Sequence, residues 1–190
     1  MTIPIKPLTL EEYLSYDDGT DTRYELVDGR LTAIAPVSDL ADRIASFLYA
    51  YFLNLGLPHY RLSMRVQIVV GGKLANVRQP DLMVLSEEVA ISLEGVNQRL
   101  ITHDMPPPTL VIEIVSPQQE ECAYGDKRTE YAGRHIPEFW IVNPINQKVT
   151  VIEWVNGLYE GQVYQGDQAI LSLLVSDLTL TAAQVLAGKA

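Results

Sequence analysis

Residues 110–116 read LVIEIVS, and this run decides the fold. It is short, branched and apolar at successive positions, the pattern of a central strand covered on both faces. One carboxylate, Glu113, stands in its middle. A charge inside such a strand is costly unless it is paired, hydrogen-bonded or bound to a cation. Two readings of Glu113 therefore stand: a structural ion pair with an arginine, or a functional carboxylate.

Outward from this strand the chain alternates helix and strand signals. Downstream, residues 124–134 suit a helix and PEFWIVNP (137–144) a second buried strand. KVTVIEW and GLYEGQVY follow as a hairpin about Asn156-Gly157, and residues 181–186 form a short closing helix. Upstream, a loop with three prolines at 106–108 leads into the central strand. Strands are expected at 61–70 and 77–85, with Gly71-Gly72 as their turn. Ser38 opens a long helix over 39–55, apolar on most of its faces and hence buried, which Gly56 and Pro58 end. RYELVDGRLTAI (23–34) reads as two strands joined at Asp28-Gly29, a strong hairpin signal. Thr9 and Glu12 fit a capping box on a short helix over 9–16. With no repeat or linker, the expectation is one α/β domain over residues 1–190, a mixed central β-sheet flanked by helices with β-hairpin additions.

Composition bounds the function. The chain has 190 residues, 47% apolar and 20% charged, as in an ordinary folded soluble protein. No apolar run approaches the roughly 18–20 residues of a membrane span. The start, MTIPIKPLTLEEY, lacks the layout of a signal peptide, so the expected compartment is the cytoplasm, with no membrane partner. The single cysteine, Cys122, rules out an internal disulfide and a cysteine zinc cage. A net charge of -10 argues against a non-specific nucleic-acid coat protein but leaves room for an enzyme with a local basic patch.

Asp81 follows Pro80 and opens the apolar run LMVL. Alone it suits a strand-end aspartate that pairs with Arg78 or caps a turn. Beside Glu113 it gains a second meaning, because two acids on two sheet strands can converge on one hard cation. Mg²⁺ takes one or two carboxylates and keeps several waters; an oxygen from each acid and a backbone carbonyl near Ile114 would suit it, or Mn²⁺. Without a cation two such carboxylates repel, and one must protonate. Lys127 is the third candidate. Tyr124, Lys127 and Tyr131 recur at helical spacing, and the tyrosines suggest that their face packs inward. An ammonium near two acids and a metal positions a water and steadies charge on a phosphate. The alternative is a snorkelling surface lysine, since Arg128 and Arg134 share the helix. Glu25 is either a fourth member or the salt-bridge partner of Arg23 or Arg30.

The ordered set resembles a family. YELVDGRL (24–31), QPDLMVL (79–85), LVIEIVSP (110–117) and DKRTEYAGRHIPEFWIVNP (126–144) are similar in order and spacing to the Uma-type restriction-endonuclease-like branch of the PD-(D/E)XK nuclease superfamily, long catalogued as a domain of unknown function. The resemblance implies a restriction-endonuclease-like fold and a divalent metal on Asp81 and Glu113. In the superfamily's usual pattern the lysine lies two residues after the second acid, which here is Val115; the Uma-type branch draws it from the following helix, at Lys127. Many members carry a histidine near the start of the long helix, where this chain has VSDLADRI (37–44), with Asp42 and Arg43 as the polar groups nearby. The resemblance further implies DNA as substrate and a homodimer, and a separate DNA-recognition partner would reconcile the acidic charge with DNA cleavage. The expected function is a Mg-dependent DNA endonuclease; the alternative is a non-catalytic assembly module that keeps the nuclease fold.

Other motifs carry less. His59, His103 and His135 lack HExxH-like spacing, and there is no phosphate loop. Cys122 has acidic neighbours, Glu120 and Glu121, which do not activate a thiol. Trp140 and Trp154 are expected in the core. Arg61, Arg65, Lys73 and Arg78 form either a phosphate-facing stripe or a solvated sheet face.

Overall fold

A computed structural model describes residues 6–96, 99–116 and 122–189. Helix α1 (Leu10–Leu14) starts at the expected capping box, where the Thr9 hydroxyl accepts the Glu12 amide and the Glu12 carboxylate accepts the Thr9 amide. Strands β1 (Tyr24–Val27) and β2 (Arg30–Ala33) join through Asp28 and Gly29 at φ 46° and 71°, the left-handed pair a tight hairpin needs. Gly29 is also sterically required, since a Cβ there would stand 2.6 Å from Pro7 Cβ. Helix α2 (Asp39–Asn54) begins at Ser38, whose hydroxyl accepts the Ala41 amide. Then come β3 (Leu62–Ser63), β4 (Gln67–Val70), β5 (Asn76–Arg78), β6 (Leu82–Val84), α3 (Glu87–Ser92), β7 (Leu100–Ile101) and β8 (Leu110–Ile114). A π-wound turn, Ala123–Lys127, runs directly into α4 (Arg128–Gly133). The chain closes with β9 (Glu138–Asn143), β10 (Lys148–Val155), β11 (Leu158–Tyr164) and α5 (Ala182–Ala187).

The strands form two sheets, β2-β1-β5-β4-β7 and β11-β10-β9-β8-β6-β3. β8 is buried along its whole length, parallel to β9 and antiparallel to β6. The parallel pair needs a crossover, and the segment holding the π-wound turn and α4 supplies it. Alternate residues of β8 feed two cores. Leu110, Ile112 and Ile114 pack with α2 and α5 through Ile44, Leu48, Phe52 and Val185. Val111 and Val115 pack on the opposite side with Ile68, Tyr131 and Phe139.

The α/β class and helical flanks agree with the sequence reading, but three details differ. The strands expected at 61–70 and 77–85 are each broken, and their halves lie in different sheets: β4 pairs β5, while β3 pairs β6. At the first break the Ser63 hydroxyl accepts the amides of Arg65 and Val66, which turns the chain. At the second stands Pro80, which has no N–H for a ladder. The hairpin thus bends from one sheet into the other, with Gln79-Pro80-Asp81 at the bend. The helix expected over 124–134 is π-wound in its first part. Trp140 is wholly buried as expected, whereas Trp154 is only partly covered and stacks on His135 at 5.0 Å. Pro117, Glu120 and Glu121 lie outside the described residues. Among the described residues no helix is long and apolar enough to cross a membrane.

Candidate active site

Glu113 shares the parity of Val111 and Val115, so its side chain leaves β8 on the α4 side. There it meets two residues one helical turn apart. Lys127 Nζ donates to Oε2 at 2.7 Å, and the Tyr131 hydroxyl donates to Oε1 at 2.6 Å. Glu113 is 5% exposed, Lys127 9% and Tyr131 0%, so the cluster is out of bulk water. The partner of Glu113 is therefore this lysine and not an arginine, and Lys127 does not snorkel to the surface.

Asp81 enters from the bend. Its Oδ2 accepts the Ile114 amide at 2.6 Å, which ties the start of β6 to the end of β8. No hydrogen bond occupies its other carboxylate oxygen among the described residues. Asp81 does not pair with Arg78. Glu25, on β1, accepts the Gln79 amide at 2.9 Å with Oε1 and Arg78 Nη1 at 3.1 Å with Oε2, and Lys127 Nζ stands 3.8 Å away. Its partners are thus neither Arg23 nor Arg30. Glu25, Asp81, Glu113, Ile114 and Lys127 line one cleft, with residues 32–38 as the facing wall.

Arg78 is 2% exposed and grips Glu130 through two contacts, 2.7 and 2.8 Å, besides its contact to Glu25. It belongs to a buried ion-pair network behind the cleft, not to a phosphate-facing stripe. Arg61 is also engaged, donating through Nε to the Leu85 carbonyl, whereas Arg65 and Lys73 are exposed. Glu130 carried no sequence signal: its partner lies 52 residues upstream, beyond any local pattern. Tyr131 was legible as inward-facing, but not as a donor to Glu113.

The electrostatics follow from burial. Loss of water pushes the Glu113 carboxyl up to about 7; contact with Lys127 opposes the rise, and the charges of Asp81 and Glu25 add to it. Burial raises Asp81 as well, against the Ile114 amide and Lys127. Burial alone would lower Lys127, but the facing charges of Glu113 and Glu25 hold it above its usual value, so it stays an ammonium. Burial and the Glu113 charge keep Tyr131 a protonated donor. Burial likewise pushes the Cys122 thiol up, away from nucleophilic use.

Among the described residues no three His, Cys, Asp or Glu side chains stand together as a metal-binding group. The hard-oxygen set at the cleft is two carboxylates, Asp81 and Glu113, with the backbone at Ile114. Its chemistry suits a cation such as Mg²⁺, which takes few protein oxygens and keeps waters. Burial raises both carboxyls, and a divalent ion between them would favour their charged forms.

The Uma2 family model, described as "Putative restriction endonuclease", matches residues 10–183. A crystal structure from Anabaena variabilis ATCC 29413, described as "a putative nuclease belonging to DUF820", is similar in fold, with a TM-score of 0.75. It is 17% identical, and the likeness covers 96% of this chain and 99% of that one. No curated protein matches the chain. The family match spans most of the chain, so the protein belongs to the Uma2 family, and it shares the fold of that crystal structure.

Proposed function

We propose that the protein is a metal-dependent endonuclease that hydrolyses phosphodiester bonds in DNA. The observation that carries this reading is the meeting of Lys127 with Glu113 at 2.7 Å beside Asp81, itself fixed on the Ile114 amide at 2.6 Å. Three charged groups from the bend, the central strand and the crossover segment share one cleft. Asp81, Glu113 and the Ile114 carbonyl would hold Mg²⁺ or Mn²⁺, which supplies Lewis acidity toward a phosphoryl oxygen.

The remaining work falls to the chain. Lys127 presents a fixed positive charge where a phosphate develops negative charge in its transition state. Glu25 flanks that ammonium on its second side, and Tyr131 holds the Glu113 carboxylate by its other oxygen. Arg78 and Glu130 fix Glu25 from behind, so the charged set is organised before substrate arrives. Residues 32–38, most of them exposed, complete the lining of the cleft. A net charge of -10 opposes approach of a long polyanion, so the reading includes a separate DNA-recognition partner.

A second reading has one observation in its favour: both oxygens of Glu113 are satisfied internally, by Lys127 and Tyr131. A non-catalytic assembly module would keep such a self-contained network. Plasmid cleavage separates the two. Wild type with Mn²⁺ or Mg²⁺ is expected to nick supercoiled plasmid, EDTA to abolish nicking, and Asp81→Asn and Lys127→Met each to lose at least 100-fold, the usual scale for one electrostatic donor, about 10²–10³. Cleavage by both variants at the wild-type rate would rule out this active site. Absence of cleavage with intact metal binding would favour the assembly module.

A further inference from the structure

The topology gathers three arginines at one end of the first sheet. β1, β4 and β7 run in the same direction, and β5 runs against them. The starts of β1, β4 and β7 therefore lie beside the end of β5. Arg23 precedes β1, Arg99 precedes β7, and Arg65 stands in the turn before β4. All three are exposed, and none makes a side-chain hydrogen bond or ion pair among the described residues. Their backbones are fixed: the Arg23 carbonyl accepts the Ile34 amide at 2.8 Å, and the Arg99 carbonyl accepts the Gln67 amide at 2.9 Å. The Arg65 amide bonds to the Ser63 hydroxyl at 3.2 Å.

The end of β5 is where the chain turns through Gln79 to Asp81. Gln79 lines the catalytic cleft and two neighbouring clefts. The first neighbour shares Asp81 with the catalytic cleft and carries Arg23 and Arg65. The second shares Arg23 with the first and carries Arg99 with Tyr16 and Tyr24. One groove thus leads from the carboxylates past three unpaired guanidinium groups to a pair of tyrosines. Tyr16 is 44% exposed and meets Tyr24 edge-on, with ring centroids 5.8 Å apart. The acidic loop beyond is turned on itself: Asp17 accepts the Gly19 amide, and Asp18 accepts Thr20 and the Tyr24 hydroxyl.

We propose that this groove is a track for one unpaired DNA strand leading into the cleft, with Arg23, Arg65 and Arg99 as phosphate contacts and Tyr16 as a stacking platform for a base. The inference rests on the nuclease reading for its substrate class. Unpaired cations in an acidic protein concentrate phosphate affinity where they stand. Arginines interleaved with an exposed aromatic are the chemistry that holds single strands without sequence preference. Of the carboxylates at the end of the track, Glu113 is buried and Asp81 half-buried, which suits a threaded strand better than the surface of an intact duplex.

The test is fluorescence anisotropy with a labelled 15-nucleotide oligothymidine, and the same strand as a duplex, at 50 and 200 mM salt in EDTA. The proteins are wild type, Arg23→Gln/Arg65→Gln/Arg99→Gln and Tyr16→Ala, each checked for folding by circular dichroism. Each lost single-strand phosphate contact flattens the log–log salt slope by about 0.7. The triple variant should therefore lose about 2 from the slope, so that a fourfold rise in salt costs it about 20-fold less affinity than wild type. Tyr16→Ala should weaken binding about 5- to 160-fold without changing the slope. No binding by wild type, an unchanged triple variant, or a duplex bound more tightly than the single strand would overturn the proposal. Because binding is read without metal, it is independent of turnover. Intact track binding with no cleavage under Mn²⁺ would count against the nuclease reading alone, and cleavage at the wild-type rate by the triple variant would count against the track alone.

Discussion

Replacing Arg78 with methionine probes the network that underlies the cleft. Arg78 is 2% exposed, and its partners Glu25 and Glu130 are 13% and 11% exposed, at 3.1 and 2.7 Å. An exposed ion pair contributes only about 0.2–1 kcal/mol. Here truncation leaves two carboxylates without their cation away from water, and removing one partner of a buried pair costs about 3–5 kcal/mol. Glu25 retains the Gln79 amide and the longer contact to Lys127, while Glu130 keeps no other partner among the described residues, so Glu130 bears the larger share. Domain stabilities are about 5–15 kcal/mol, so the variant should fold with little margin. With a urea dependence of about 2 kcal/mol per molar, the unfolding midpoint should fall by about 2 M. Circular dichroism at neutral pH reads the shift. Adding Glu130→Gln to Arg78→Met should recover part of the loss, because it removes the stranded charge. A midpoint shift below about 0.5 M, which at that dependence is the exposed-pair range, or no recovery in the double variant, would refute the reasoning.

Other outcomes follow from the same contacts. In the metal-free protein the Glu113 carboxyl titrates at about 7, above its ordinary 4.5, so between those pH values the native state holds a proton that the unfolded chain has lost. Its contribution therefore makes stability fall as pH rises through that window, by about 3 kcal/mol; in EDTA, Glu113→Gln should gain on wild type as pH rises from 4.5 to 7.5, and a pH-independent gap in melting temperature would contradict this. Tyr131→Phe removes the buried donor to Glu113 Oε1 and should cost about 1–3 kcal/mol in urea unfolding, whereas an unchanged midpoint would mean the hydroxyl is idle. Glu138, wholly buried, accepts the Ser172 hydroxyl and the amides of Leu173 and Leu174. Glu138→Ala should expose residues 171–174 to limited proteolysis while lowering stability by about 3 kcal/mol, and equal resistance to cleavage would show that the loop is held by other means.

Much of this architecture was legible locally. LVIEIVS and PEFWIVNP are apolar at both parities because both faces of β8 and β9 are covered, and Asp28-Gly29 and Asn156-Gly157 specify their turns through left-handed backbone. The division of one hairpin between two sheets was not legible. It depends on the Ser63 hydroxyl capturing two amides, and the sequence there reads as continuous strand. Asn76, Val77 and Arg78 are buried at successive positions, so strand parity could not separate a buried arginine from a solvent-facing one. The candidate acids were visible because a carboxylate stands out in an apolar strand. Their partners were not, because Arg78 meets Glu130 across 52 residues and Glu113 meets Lys127 across a crossover. The π-wound turn had no local signal beyond Gly125, yet it carries Lys127 at its end.

The most direct test of the central claim is isothermal titration of Mn²⁺ into wild type, Asp81→Asn and Glu113→Gln, with folding of each checked by circular dichroism. Wild type should bind the ion through Asp81 and Glu113, and each substitution should abolish binding or weaken it strongly. Absence of binding by the wild type, or binding by both variants with wild-type affinity, would contradict the account.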